Sequence, residues 1–303
     1  MTLSTSLGAA PPTPPGPAAG GFERSPGYWA TVGRRLLRDK VALGAGAVIL
    51  GLLVLALFGP WLAPADPYQS SMLSRLKPIG TDGHPLGTDE LGRDLLSRLL
   101  VGARLSLFMG ITPVLCAFVI GAVIGIVAGY AGGPLNTVIM RTIDVFYAFP
   151  SVLLAIALSG ALGAGITNSL ISLTIVFVPP IARVAESVTT QIRARDFVEA
   201  ARASGANAFT IVRVHVLGNV LGPIFVYATS LIAVSMILAS GLSFLGLGVK
   251  PPEPEWGLML NTLRTAIYTQ PLVAALPGAM IFITSIAFNL LSDGLRSAME
   301  IKQ

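Results

Sequence analysis

Charged residues are absent from five long stretches of the chain, and the lengths of those stretches predict most of its architecture. Lys40 to Asp66 encloses 25 uncharged residues, Arg104 to Arg141 encloses 36, Asp144 to Arg183 encloses 38, Arg213 to Lys250 encloses 36, and Arg264 to Asp293 encloses 28. Each exceeds the roughly 20 residues that a helix needs to cross about 30 Å of hydrocarbon. The longest is divided by the turn cluster Gly160, Gly163, Gly165 and Asn168, and so holds most of two helices. Six spans are predicted, near 41–63, 105–129, 138–160, 166–188, 217–244 and 270–291. Phe149-Pro150 and Val178-Pro179-Pro180 are expected to break the third and fourth. Backbone groups freed at such depth must be met by protein or by water in a cavity, which makes Phe149, Pro150, Pro179 and Pro180 candidates for the lining of a path.

Smaller patterns refine this outline. Residues 1–21 contain PPTPPGP and no charge before Glu23, so they read as disordered rather than as a signal peptide. Over Tyr28 to Lys40, Trp29, Val32, Leu36 and Leu37 share a helical face while Arg34, Arg35 and Arg38 fall mostly on the other. That pattern predicts a helix lying in the membrane interface, the alternative being an extension of the first span. Gly121, Gly125 and Gly129 repeat every fourth residue and allow a neighbouring helix to approach the second span closely. Arg141 with Asp144, and Arg183 with Glu186, are spaced three apart near span ends, where each pair is expected to neutralise itself.

Composition agrees with the spans. A chain of 303 residues that is 53% hydrophobic and 12% charged, with a mean hydropathy of +0.75, is too apolar for a soluble domain. The single Cys116 lies in an apolar run, so no internal disulfide is available and a small buried residue is expected.

Six crossings place both termini and the loop Arg193 to Leu217 on one side, and charge decides which side. The segment up to Lys40 carries five basic and two acidic residues, and Arg183 to Arg213 carries five and three. Asp66 to Arg104 balances five against five, and Lys250 to Arg264 two against two. The excess of positive charge makes the first pair of segments cytosolic.

The loop RARDFVEAARASGANAFTIVRVHVL (Arg193 to Leu217) is a polar island in this oily chain. Phe197, Ala200, Ala201, Ser204 and Ala208 recur at helical spacing and give a narrow face of small residues, while Arg195, Glu199 and Arg202 point elsewhere. Gly205 can take the left-handed conformation that ends a helix, and Asn207 can cap a second one running towards His215. Helix, turn, helix is the prediction. The alternative is a solvated surface hairpin in which Glu199 only pairs with Arg195 or Arg202.

The spacing Glu199-Ala200-Ala201, three residues, Gly205, then nine residues before His215-Val216-Leu217 resembles the cytoplasmic signature of permease subunits of ATP-binding-cassette (ABC) importers. The proline usual after that leucine is Gly218 here, and Pro223 lies nearby. HPLGTDELGRDLLSRLLVGARLSL (His84 to Leu107), MRTIDVFYAFP (Met140 to Pro150), LSFLGLGVKPPEPEWG (Leu242 to Gly257) and FNLLSDGLR (Phe288 to Arg296) resemble the oligopeptide and dipeptide branch, specifically its second type of permease subunit.

The resemblance runs from about Leu36 to the C-terminus and implies an all-α polytopic membrane protein with the transmembrane fold of type I ABC importers. With the proline-rich tail, which lies outside the resemblance and reads as disordered and cytosolic over 1–27, the expected order is the interfacial helix and first span over 28–66 and an external loop over 67–101. A permease core of five helices follows over 102–292, with a cytosolic coupling loop at 190–216 and a cytosolic tail over 293–303. Glu199, Ala200, Ala201 and Gly205 would couple to an ATP-binding subunit. The implied partners are a second homologous permease, two ATP-binding subunits, an extracytoplasmic solute-binding protein and membrane lipid, but no nucleic acid. The implied place is the bacterial inner membrane, with both termini cytoplasmic. Peptides lead as substrate, although the branch also imports glutathione, nickel complexes or haem.

No lysine of the four follows a glycine, so the phosphate-cradling Gly-Lys-Ser/Thr loop cannot be built in this chain. No cofactor and no enzymatic activity are expected in the chain itself, and ATP with magnesium would belong to the partner subunits. His84 and His215 fall on opposite sides of the predicted membrane, which argues against a shared metal or catalytic site. An ion-coupled secondary transporter or channel is the alternative class, and it would ordinarily place charges near the midplane.

Overall fold

Uncharged stretches too long for a soluble turn become helices, because only a helix satisfies every backbone group within its own segment in an apolar surrounding. The computed structural model describes residues 28–299. The tail expected over 1–27 lies outside them. Among the described residues the regular elements are helical, with two isolated β-bridges, Thr81 to His84 and Thr88 to Asp94.

Helix α1 (Tyr28–Leu36) precedes α2 (Lys40–Leu62). The carboxylate of Asp39 caps α2, accepting from the backbone N–H of Val41 at 2.9 Å and of Ala42 at 3.1 Å. A capped start excludes the reading of α1 as an extension of the first span. Instead α1 touches the last helix and buries Val32.

The bundle continues through α3 (Leu95–Ala131), α4 (Gly133–Tyr147), α5 (Ser151–Leu162) and α6 (Ile166–Arg193). A hairpin of α7 (Asp196–Ala203) and α8 (Ala208–Ile211) leads through a π-helical turn, Val212–Val216, into α9 (Leu217–Phe244). The short α10 (Trp256–Thr262) and the long α11 (Pro271–Met299) complete the fold. Among the described residues five helices are long and apolar enough to cross a membrane, and α4 with α5, bent by 86° at Phe149-Pro150, makes a sixth if the bent pair is one span. Asp293 to Met299, expected in a tail, continue α11.

Two expectations are corrected. Helix α6 runs unbroken through Pro179 and Pro180; proline's fixed φ is itself helical, and Pro179 is buried with Phe177, Ile181 and Ala182, so core packing holds the segment. Cys116 is exposed rather than buried. It shares a flank of α3 with the exposed Leu115, Val119 and Val123, and on the outer flank of a spanning helix no small residue need be hidden, since lipid or a partner helix is as apolar as the core.

The central contact joins α3 to α6. A Cβ on Gly121 would stand 3.0 Å from the Val178 carbonyl oxygen, and one on Gly129 would stand 2.7 Å from that of Glu186. The glycine repeat thus serves the close approach read from its spacing. Arg193 Nη1 donates to the Gly129 carbonyl at 3.4 Å, placing the α7–α8 hairpin at the end of the bundle where α3 finishes. At the other end the Gly165 N–H donates to the Leu247 carbonyl at 3.0 Å.

Candidate functional site

Local chemistry builds the α7–α8 hairpin. Asp196 and Glu199 occupy the first turn of α7 and Arg202 the last, each sign suited to the helix dipole. The helix closes with paired bonds, Gly205 N–H to the Arg202 carbonyl at 3.0 Å and Ala206 N–H to the Ala201 carbonyl at 3.1 Å. That closure needs a left-handed residue, and Gly205 supplies it with φ of +83°. Asn207 Oδ1 then accepts from the Thr210 N–H at 2.8 Å and starts α8.

One fully buried side chain, Val198, anchors α7, while Ile211 and Val216 anchor the second arm. Glu199, Ala200, Ser204, Gly205 and Ala208 are exposed, and Ala201 is half-buried. Phe197 and Phe209 are exposed beside them, Phe209 by 73%, and the Phe197 ring lies 6.2 Å from that of His215. Glu199 pairs with neither Arg195 nor Arg202 among the described residues. The hairpin therefore presents a small-residue surface flanked by apolar rings and, among the described residues, two uncommitted carboxylates, Asp196 and Glu199.

The four proposed path residues separate. Phe149 and Pro150 are exposed at the 86° bend. Pro179 is turned into the core, whereas Pro180 lines an open cavity of about 600 Å³ together with Tyr147, Asp144 and Arg183. Here the expected neighbour pairs are exchanged. Arg183 Nη2 donates to Asp144 Oδ1 at 2.5 Å, from α6 to α4, and the guanidinium carbon lies 4.8 Å from the Tyr147 ring centre. Glu186 instead accepts from Asn136 Nδ2 at 2.7 Å. Helix α4 lies against α6, and cross-helix partners are nearer than the residue three along.

Sequence reasoning missed a buried polar cluster at the α10 end. Asp89 Oδ2 accepts from Arg93 Nε at 2.7 Å and lies 3.5 Å from Arg98 Nε. Arg98 Nη1 donates to the Pro67 carbonyl at 2.8 Å. Asp94 caps α3 through the Ser97 N–H at 2.8 Å and lies 3.0 Å from His84 Nδ1. Glu255 caps α10, accepting from the N–H groups of Gly257 at 2.9 Å and Leu258 at 2.8 Å. Burial pushes its carboxyl above the usual range, opposed by those hydrogen bonds. Tyr68 is raised by burial and by its hydrogen bond to Glu253. The four-residue spacings Asp89 to Arg93 and Asp94 to Arg98 were the available signal.

Residues 121–302 match the family described as binding-protein-dependent transport system inner membrane component. The chain belongs to that family. Residues 27–78 of the permease also match the N-terminal transmembrane domain of oligopeptide transport permease C. It is 42% identical over 274 residues to the glutathione transport system permease protein GsiD of Pectobacterium atrosepticum, covering 90% of this chain and 91% of that one. It is equally 42% identical to GsiD of Escherichia coli, covering 90% of both chains. Its fold is similar to that of the MetNI methionine ABC transporter in inward-facing crystals, with a TM-score of 0.55 at 19% identity, covering 66% of this chain and 95% of that one. The permease is the membrane-spanning subunit of an ABC importer, a transport protein rather than an enzyme. The channel and secondary-transporter alternative is thereby set aside.

Proposed function

We propose that this permease imports short peptides, glutathione among them, across a bacterial inner membrane. It would do so beside a second homologous permease, with two ATP-binding subunits on the cytosolic side and a solute-binding protein outside. The 42% identity to glutathione permeases along nine-tenths of the chain supports the substrate class. ATP and magnesium belong to the partner subunits in this reading, because no phosphate-cradling loop exists here.

The observation that carries the coupling role is the exposed face of α7, where Glu199 has no ion-pair partner among the described residues. Closure of the ATP-binding subunits would move α7, and α6 and α9, covalently attached to the hairpin, would switch access from the outer to the inner face. Both described chain ends lie with this hairpin on the cytosolic side, as the excess of basic residues supports. Phe149, Pro150 and Pro180 border the path; Pro179 supports it from behind.

The test is uptake of labelled glutathione and of labelled dialanine into vesicles carrying the complete system. Import that requires ATP and the binding protein is expected. Import driven by an ion gradient without ATP would overturn the mechanism, and rejection of both solutes would overturn the substrate class.

A further inference from the structure

The Asp144–Arg183 pair is strongly exposed for charges inside a predicted span, 46% at the arginine and 35% at the aspartate. Arg183 stands five residues before the end of the span expected over 166–188, about 8 Å along the axis and inside the hydrocarbon edge. A charge costs roughly 3 kcal/mol at the bilayer centre and less towards a span end, but here Asp144, Arg183 and Glu186 line one open cavity, which gives the pair a polar border. This face therefore borders water or the second permease.

The surroundings are chemically two-signed. Arg183 is held by Asp144 on one side and stacked on Tyr147 on the other, and its remaining N–H groups have no acceptor among the described residues. Glu186 uses Oε1 for Asn136 and Thr190, leaving Oε2 open to the same cavity. Its volume, about 600 Å³, falls within the roughly 300–1,000 Å³ of small-molecule sites.

We infer that this cavity is a station for a zwitterion with separated charges, a short peptide with free termini. Its carboxylate takes the spare donors of Arg183 while its ammonium takes Glu186 and Asp144. The inference rests on the peptide reading above and adds a place inside the membrane where that class is recognised again after leaving the binding protein.

The complete transporter, held in lipid nanodiscs without its binding protein, tests this. In a Cys116→Ser background, Ser187→Cys, on the cavity wall, is expected to react with a charged methanethiosulfonate. Trialanine at ten times its dissociation constant should slow that reaction about tenfold, since the free site shrinks as 1 + [L]/Kd. N-acetyl-trialanine amide should not slow it, and Arg183→Gln should remove the protection while labelling persists. Val184→Cys, on the same wall, is expected to behave alike and replaces Ser187→Cys should that variant not assemble. Absence of labelling at both positions, while Ser204→Cys on the hairpin labels, would overturn the inference. So would equal protection by the blocked peptide, or protection that survives Arg183→Gln. Peptide import by the unaltered system is measured in parallel: import without protection sinks the station alone, whereas the substrate reading falls only if no peptide is imported.

Discussion

A Cβ added to Gly125 would stand 2.3 Å from the carbonyl oxygen of Ala182, so α3 and α6 meet backbone to backbone. Gly125→Val is therefore expected to force the helices apart at a cost of about 1–3 kcal/mol or more. Thermal unfolding of the purified complex should show a lowered midpoint. Gly160→Ala, where nothing lies within 4 Å of the new methyl, should show none. Equal midpoints for Gly125→Val and the unaltered protein would mean that the two helices do not touch there.

Glu199 is exposed on α7 and has no ion-pair partner among the described residues, so its charge is free for a partner. Glu199→Lys reverses that charge and lengthens the side chain, and import should fall by about tenfold or more, the effect of roughly 1.4 kcal/mol of lost coupling. Quantified membrane levels should stay unchanged, because Val198 rather than Glu199 anchors the helix. Normal import at normal levels would remove Glu199 from the coupling contact.

Asp89 is the shared counter-charge of buried Arg93 and Arg98. Asp89→Ala leaves two guanidinium groups buried without it and should destabilise by about 3–5 kcal/mol. Limited proteolysis between Asp66 and Asp94 should become faster in the variant. An unaltered cleavage rate would show that water already reaches the cluster.

Glu255 carries a carboxyl raised by burial, and the sign of its effect follows. Below the ordinary carboxylate range the folded and unfolded forms are both protonated and the contribution to stability is complete. It is lost as pH rises through the raised folded value, since the folded state then gives up a proton that the unfolded state has already released. Melting at about pH 5 against about pH 8 should show the drop, and Glu255→Gln, whose amide oxygen can still cap α10, should flatten it. A slope unchanged by Glu255→Gln would assign the pH dependence to another group.

Much of the architecture is local in origin and hence visible in one dimension. Membrane insertion sums along a segment, so the distances from Lys40 to Asp66 and from Arg213 to Lys250 are enough to locate spans. The hairpin is legible for the same reason, because Gly205 and Asn207 close and open helices through bonds to residues within five positions. Folding settled what depends on which helices become neighbours. Arg183 takes Asp144, 39 residues away, in place of Glu186, and Arg98 reaches the Pro252 carbonyl across 154 residues. Neither pairing leaves a periodic mark, and the same holds for the exposed flank of Cys116 and the unbroken passage of α6 through Pro179 and Pro180. Each is a competition among partners that come within a few ångströms of one another only after the bundle has assembled.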